Sequence, residues 1–180
     1  VYGSSSVNGS WINIPYFKVI NEEKDLTFNP RIYADDKFIM QSEYRQAFEN
    51  SNLISDFSFN NDGKNTNTHL FANIGGDISS KTKYNFQYQD VSNDDYLKIH
   101  NLANSSPIIE NESLLSTQFN IEKNIDENTN LNTNFIVYED LSKKDSDRFQ
   151  YILPNFNYTK NLEIPDDYNG NFSFMSSGFQ

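Results

Sequence analysis

His69 to Leu102, HLFANIGGDISSKTKYNFQYQDVSNDDYLKIHNL, is the stretch whose reading decides the fold. Leu70, Ala72, Ile74, Gly76 and Ile78 fall in one phase of period two, and His69, Phe71, Asn73, Gly75 and Asp77 in the other. Ser79-Ser80-Lys81 predicts a turn. After it Tyr84, Phe86 and Tyr88 alternate with Asn85, Gln87 and Gln89. Alternation with period two marks strands whose faces see different surroundings. The stretch therefore predicts two strands and a tight turn, followed by a polar excursion.

The same pattern recurs outward in both directions. Toward the start, Trp11 to Ile20 reads as a strand interrupted by Pro15, with Val1 to Ser10 as a loop or strand end. Asp25 to Ala34 sets Leu26, Phe28, Pro30 and Ile32 against Thr27, Asn29, Arg31 and Tyr33, and Asp35-Asp36 predicts a turn. Phe38 to Glu49 carries Phe38, Met40, Tyr44 and Phe48 against Gln41, Glu43, Arg45 and Glu49. Asn52 to Asn60 sets Leu53, Phe57 and Phe59 against Asp56, Ser58 and Asn60, and Asn61 to Thr68 reads as a polar loop.

Toward the end, Asp94 to Asn111 is irregular. A hairpin follows, with Leu115 to Glu122 opposing Leu131 to Tyr138 around Asp126-Glu127-Asn128. Glu139 to Asp147 is a charged loop, Arg148 to Lys160 a strand holding Pro154, and Asn169 to Met175 opens the last one. The expectation is roughly ten antiparallel strands without a convincing helix, an all-β up-and-down meander.

Composition narrows the class. The 180 residues suit one domain, with 15% aromatics, no cysteine and a net charge of -11. The mean hydropathy is -0.72. The aromatics argue against disorder. The acidic balance, without a basic stripe, argues against nucleic acid. The lack of cysteine excludes disulfides and thiolate metal sites in this segment. No apolar run reaches the roughly 20 residues of a spanning helix, which leaves spanning strands open. The chain starts at Val1 and stops at Gln180 within strand-like sequence, so a fragment of a longer protein is expected.

Two environments fit this alternation. A sandwich buries the apolar faces of two sheets against each other. A membrane barrel turns its apolar face to lipid and its polar face to a wet lumen. Lys or Arg at mid-bilayer on the lipid face costs about 2–4 kcal/mol. The mid-strand charges Arg31, Glu43, Arg45 and Asp56 all fall in the polar phase, as a barrel requires. Pattern alone leaves both architectures open.

The order of several short motifs resembles the start of the barrel domain of the LPS-assembly outer-membrane protein (LptD, organic solvent tolerance protein) family. Trp11-Ile12-Asn13-Ile14-Pro15-Tyr16-Phe17 is similar to that family's "PYF" strand. Asp25-Leu26-Thr27-Phe28-Asn29-Pro30-Arg31-Ile32-Tyr33 is similar to its "DLTLTPRYY" strand. Glu43-Tyr44-Arg45, His69-Leu70-Phe71, Ser92 to Leu97 and Tyr151 to Pro154 resemble "EYRY", "GHLF", "SDDTYLR" and "VLPLLDY" in the same order, across about residues 11–160. The chain departs from the family at Lys18 to Lys24, which replaces a His-Pro-Asp and Gly-rich connection. The periplasmic jelly-roll, the later barrel strands and the family's cysteines lie outside the matched region.

The resemblance implies that residues 1–180 are an open curved sheet, part of a large transmembrane barrel of roughly 26 strands. It implies a Gram-negative outer-membrane location and lipopolysaccharide transport without bond chemistry, hence no enzyme, no catalytic residue, no metal and no cofactor. The implied partners are lipopolysaccharide, outer-membrane lipid, a plug lipoprotein of the LptE type and a periplasmic LPS-bridge protein. Pro15 and Pro30 are its lateral-gate candidates, since proline gives no N–H to a strand ladder. Asn29, Arg31, Glu43, Arg45 and Asp56 are candidates for the lumen, either meeting the cargo's sugar or phosphate groups or only holding water and cross-strand partners. His69 and His100 are far apart in sequence, and nothing around them signals a metal site or the Ser/His pair an outer-membrane phospholipase needs. Asp94-Asp95 and Asp166-Asp167 lack the spacing of a calcium loop and read as loop charges. Trp11 and the tyrosines read as an interface girdle or as core and lumen aromatics. Another outer-membrane barrel, a porin or receptor, and a soluble β-sandwich binding module are the competing expectations.

Overall fold

A computed structural model describes all residues except 6–8, 35–36, 62–64, 164–169 and 171. Asp35-Asp36 and Asp166-Asp167 therefore lie outside the described residues. The strands are β1 (Tyr2–Ser5), β2 (Gly9–Asn13), β3 (Tyr16–Asn21), β4 (Lys24–Tyr33), β5 (Phe38–Ala47) and β6 (Ser51–Asn61). They continue as β7 (Thr66–Ser79), β8 (Thr82–Val91), β9 (Leu114–Asp126), β10 (Thr129–Asp140), β11 (Phe149–Leu162) and β12 (Phe172–Phe179). All belong to one antiparallel sheet, each beside its neighbour in sequence, except that β2 and β3 both pair β4. A second sheet is absent among the described residues, so the chain does not adopt the sandwich arrangement.

Several details differ from the sequence expectation. Of the two readings of Val1 to Ser10, loop or strand end, the strand holds at Tyr2–Ser5, which pairs with β2. The polar loop after β6 is shorter than Asn61 to Thr68, because β6 runs to Asn61 and β7 starts at Thr66. The segment 92–113 holds a one-turn helix, α1 (Tyr96–His100), and a 3-10 turn at Ala103–Ser105, where no helix was expected. Neither is long enough to show the 3.6-residue pattern by which a helix is recognised.

The phases hold where the strands are long. On one face, direct register aligns Leu53, Ile74, Phe86, Phe119 and Phe135 in one row across five strands. Phe28, Ser42, Phe57 and Leu70 form another. Such cross-strand pairs of aromatic and branched side chains are the unit of sheet stabilisation. Phe57, Phe86, Tyr88, Phe135 and Phe156 nevertheless stay more than a third exposed. The opposite face carries Thr27, Asn29, Arg31, Gln41, Glu43, Asp56, Ser58, His69 and Asn73, with Asn85, Asn120 and Asn134 farther along.

Gly76 marks a close approach. Asp77 donates its N–H to the Asn50 carbonyl over 2.8 Å, and a Cβ on Gly76 would collide with that same carbonyl oxygen. Glycine lets the β5–β6 turn close against β7 there.

The core lies on the polar face, not the apolar one. Tyr33, Ile39 and Phe71 come from strand positions in the polar phase, and Leu115 joins them from the start of β9, where its register is that of Phe119. Tyr96, Leu97, Leu102 and Ile109 descend on them from the segment 92–113, and Leu141 joins from the next loop. The polar face is thus not polar along its whole length. Its end nearest the long loops is dry, because these inward positions are apolar and a loop folds over them.

Candidate functional site

The site is built where the segment 92–113 meets the polar face. Ser58 on β6 stands directly opposite His69 on β7, and Asp56 follows two residues away on the same face. Ser58 Oγ is 2.6 Å from His69 Nδ1, and His69 Nε2 is 2.7 Å from Asp56 Oδ1. From α1, the Tyr96 hydroxyl reaches Ser58 Oγ at 2.8 Å. Burial pushes the Tyr96 hydroxyl up to about 12, against the hydrogen bond to Ser58, so it remains a proton donor. With a neutral imidazole and an ionised Asp56 the donors run one way. Tyr96 O–H donates to Ser58, Ser58 O–H to Nδ1, and Nε2–H to Asp56. Asp56 also accepts two 3.1 Å bonds from the Gln41 amide.

A serine, histidine and aspartate in line are the parts of a nucleophile relay. The expectation that nothing around His69 forms a Ser/His pair is therefore corrected. Pairing register brings them together, and their sequence separation concealed it. The signal was available in the shared phase of Asp56 and Ser58 and in the hairpin that sets His69 against them. As packed, Ser58 is 3% and Asp56 0% exposed, and the Tyr96 hydroxyl occupies the outer side of Ser58. The relay holds the loop down and presents no open nucleophile.

Other anchors surround it. Arg31 donates from Nη1 to the His100 carbonyl, and its guanidinium lies 4.9 Å from the centre of the Trp11 ring. The Asn60 amide and His100 Nε2 are 3.3 Å apart, and the Tyr96 and His100 rings meet edge to face at 5.2 Å. Gln41 donates to the Leu102 carbonyl and accepts from Ser105 Oγ at 2.6 Å. A satisfied buried network of this kind fixes one arrangement of the loop.

The sequence candidates divide accordingly. Arg31 and Asp56 serve the buried anchor. Glu43 and Arg45 lie farther down the polar face, where Arg45 grips Asp25 at 2.8 and 3.1 Å and comes within 3.4 Å of Glu43. Asn29 lines a separate cavity beside Arg31. His69 and His100 enter one cluster, and no group of three or more His, Cys, Asp or Glu side chains among the described residues is placed to hold a metal.

Pro15 and Pro30 meet at one break. The β2–β4 ladder ends at the pair Asn13–Arg31, and the β3–β4 ladder resumes at Tyr16–Phe28. Continuing that register sets Ile14 opposite Pro30 and Pro15 opposite Asn29. Both prolines thus stand at one interruption between neighbouring strands, where Pro30 withholds a donor from the ladder and Pro15 faces away from it.

No family model and no curated protein matches this chain. Among solved structures it is similar to a KdgM porin in complex with disordered oligogalacturonate, at 7% identity and a TM-score of 0.32. That match covers 94% of this chain and 85% of the other.

The loop is also latched from outside. Arg148 donates to both carboxylate oxygens of Asp94 at 2.7 and 3.1 Å and to Glu139 at 2.7 Å. Its hydrogen bonds hold the Asp94 carboxyl below the usual carboxylate range, and those carboxylates raise the guanidinium in turn. A lowered carboxylate contributes stability above its unfolded value and loses it as pH falls through the lowered folded value. The latch is thus whole near neutrality and lost in acid. Pepsin cleavage of the segment 92–113 should be faster in Arg148→Gln than in the parent chain at about pH 4. The two rates should converge toward about pH 2. A gap that persists unchanged would show that Asp94 is not the titrating partner.

Proposed function

We propose that this chain is part of the wall of an outer-membrane β-barrel of the porin or receptor kind, with the segment 92–113 folded into the lumen as a constriction. The observation that carries this reading is the pairing of its two faces. The apolar face is uncovered by any second layer among the described residues, with Phe86 39% and Phe135 38% exposed. Contiguous apolar patches beyond a few hundred Å² mark a contact surface, and here the rows of Phe, Ile and Leu run across five strands. Strands of the length of β7, β9 and β10 cross a hydrocarbon core with ease. The other face is amides, hydroxyls and paired charges, as a wet interior needs.

Full-length protein refolded from urea should acquire its β-structure only with detergent micelles or lipid vesicles present. A monodisperse, cooperatively folding species in buffer alone would overturn the reading.

A second reading has its own observation. The ordered resemblance to the LPS-assembly family and the meeting of Pro15 with Pro30 at one ladder break support lipopolysaccharide export through a laterally opening seam. Partners in that case are lipopolysaccharide, a plug lipoprotein of the LptE type and a periplasmic bridge protein. Pro15→Ala together with Pro30→Ala restores one ladder donor to this seam, at position 30, and should tighten it by about 1 kcal/mol. Lipopolysaccharide export in cells carrying the double variant should then fall about fivefold. Export at the parent level would leave the porin or receptor reading alone.

A further inference from the structure

We infer that the cavity between the broken ladder and the folded loop binds a negatively charged sugar. This cavity of about 420 Å³ opens among β1, β2, β4 and the α1 end of the segment 92–113. It falls within the roughly 300–1,000 Å³ typical of small-molecule sites.

Its lining is chosen against the rest of the chain. The protein carries 25 acidic residues, yet neither Asp nor Glu lines this cavity among the described residues. Arg31 is the one Lys or Arg that does. Arg31 is only 7% exposed, and its guanidinium is held in place by the Trp11 ring and the His100 carbonyl, so it enters a binding event already oriented. Preorganised, poorly hydrated cations bind carboxylate and phosphate strongly.

A second requirement comes from Asn13. It is 7% exposed, and its Oδ1 has no hydrogen-bond partner. A buried acceptor left empty costs about 1–3 kcal/mol. A bare anion brings no donor and cannot relieve it. A neutral sugar supplies hydroxyl donors but makes no use of Arg31. A sugar bearing a carboxylate or phosphate meets both needs. Asn29, Asn101 and Asn104 on the same walls offer amides that can donate and accept, as ring hydroxyls demand. The place of this site in a lumen rests on the barrel reading, whereas the binding does not.

The test is calorimetric titration of the full-length chain with glucuronate, glucose 1-phosphate, glucose and inorganic sulfate, an oxyanion without an O–H. Both charged sugars should bind about tenfold or more tightly than glucose or sulfate. Arg31→Gln should erase the margin over glucose, and Asn13→Leu the margin over sulfate. Arg31 also anchors the loop, so Asn104→Asp, at an exposed position, provides an independent check. Its added charge should weaken the charged sugars about tenfold more than it weakens glucose. Micelles of lipopolysaccharide that compete with glucuronate would identify a glycolipid as the source, and their failure to compete a free saccharide. Equal affinity for sulfate and sugar phosphate would reduce the site to an anion hole and overturn the inference. Absence of binding by a chain that has entered vesicles overturns the site alone. Binding by a chain that folds in plain buffer keeps the site and removes the membrane reading.

Discussion

Lysine at position 119 should keep the sheet out of a bilayer, whereas lysine at position 120 should not. Phe119 stands at the middle of β9, between Phe86 and Phe135 in the longest apolar row. In the proposed barrel its ring meets hydrocarbon. Phe119→Lys places an ammonium near mid-membrane at about 2–4 kcal/mol. It also forfeits about 1.5–3 kcal/mol of apolar burial. Together these approach the whole stability of a typical domain. Asn120 points the other way and donates to Asn132 at 3.1 Å and Asn134 at 2.5 Å. Asn120→Lys loses those bonds in a wet setting, at about 1 kcal/mol. Urea titrations of both variants in lipid vesicles measure the contrast. Equal losses would mean that the apolar face does not meet lipid.

Asp56→Ala should free the segment 92–113. The carboxylate accepts from His69 and twice from Gln41 in a place without solvent. Removing one member of such a buried charged network costs about 3–5 kcal/mol, chiefly through donors left without acceptors. Asp56→Asn keeps an acceptor and should cost less. Lys98 sits exposed on α1, between the buried Leu97 and His100, and is the natural trypsin site in the loop. Where cleavage follows local opening, a loss of about 3 kcal/mol raises its rate by about 100-fold. Cleavage at the parent rate would show that the loop is held by its apolar contacts alone.

Much of the fold could be read from period-two alternation. Leu26, Phe28, Pro30 and Ile32 share the face expected of them, Ser80-Lys81 turns β7 into β8, and Pro15 interrupts a strand where proline must. What escaped was contact between distant residues. Arg31 and His100 lie 69 positions apart, and Gln41 and Ser105 lie 64 apart. No local pattern encodes such meetings, because the loop's place is set by the apolar residues it covers. Those residues were visible as exceptions: Tyr33, Ile39 and Phe71 stand in a phase that is mostly polar. Ser58 and His69 escaped for a related reason, since only hairpin register makes them neighbours.

Asparagine runs sideways along the polar face. Asn73 and Asn85 exchange hydrogen bonds, and Asn120, Asn132 and Asn134 continue the series on the next two strands. Neutral dipoles that satisfy one another owe little to counterions, and brine strong enough to loosen Arg148 from Asp94 leaves them as they are. A passage so clad would greet hydrated solutes of either sign alike, and leave discrimination to the few places along it where a charge stands alone.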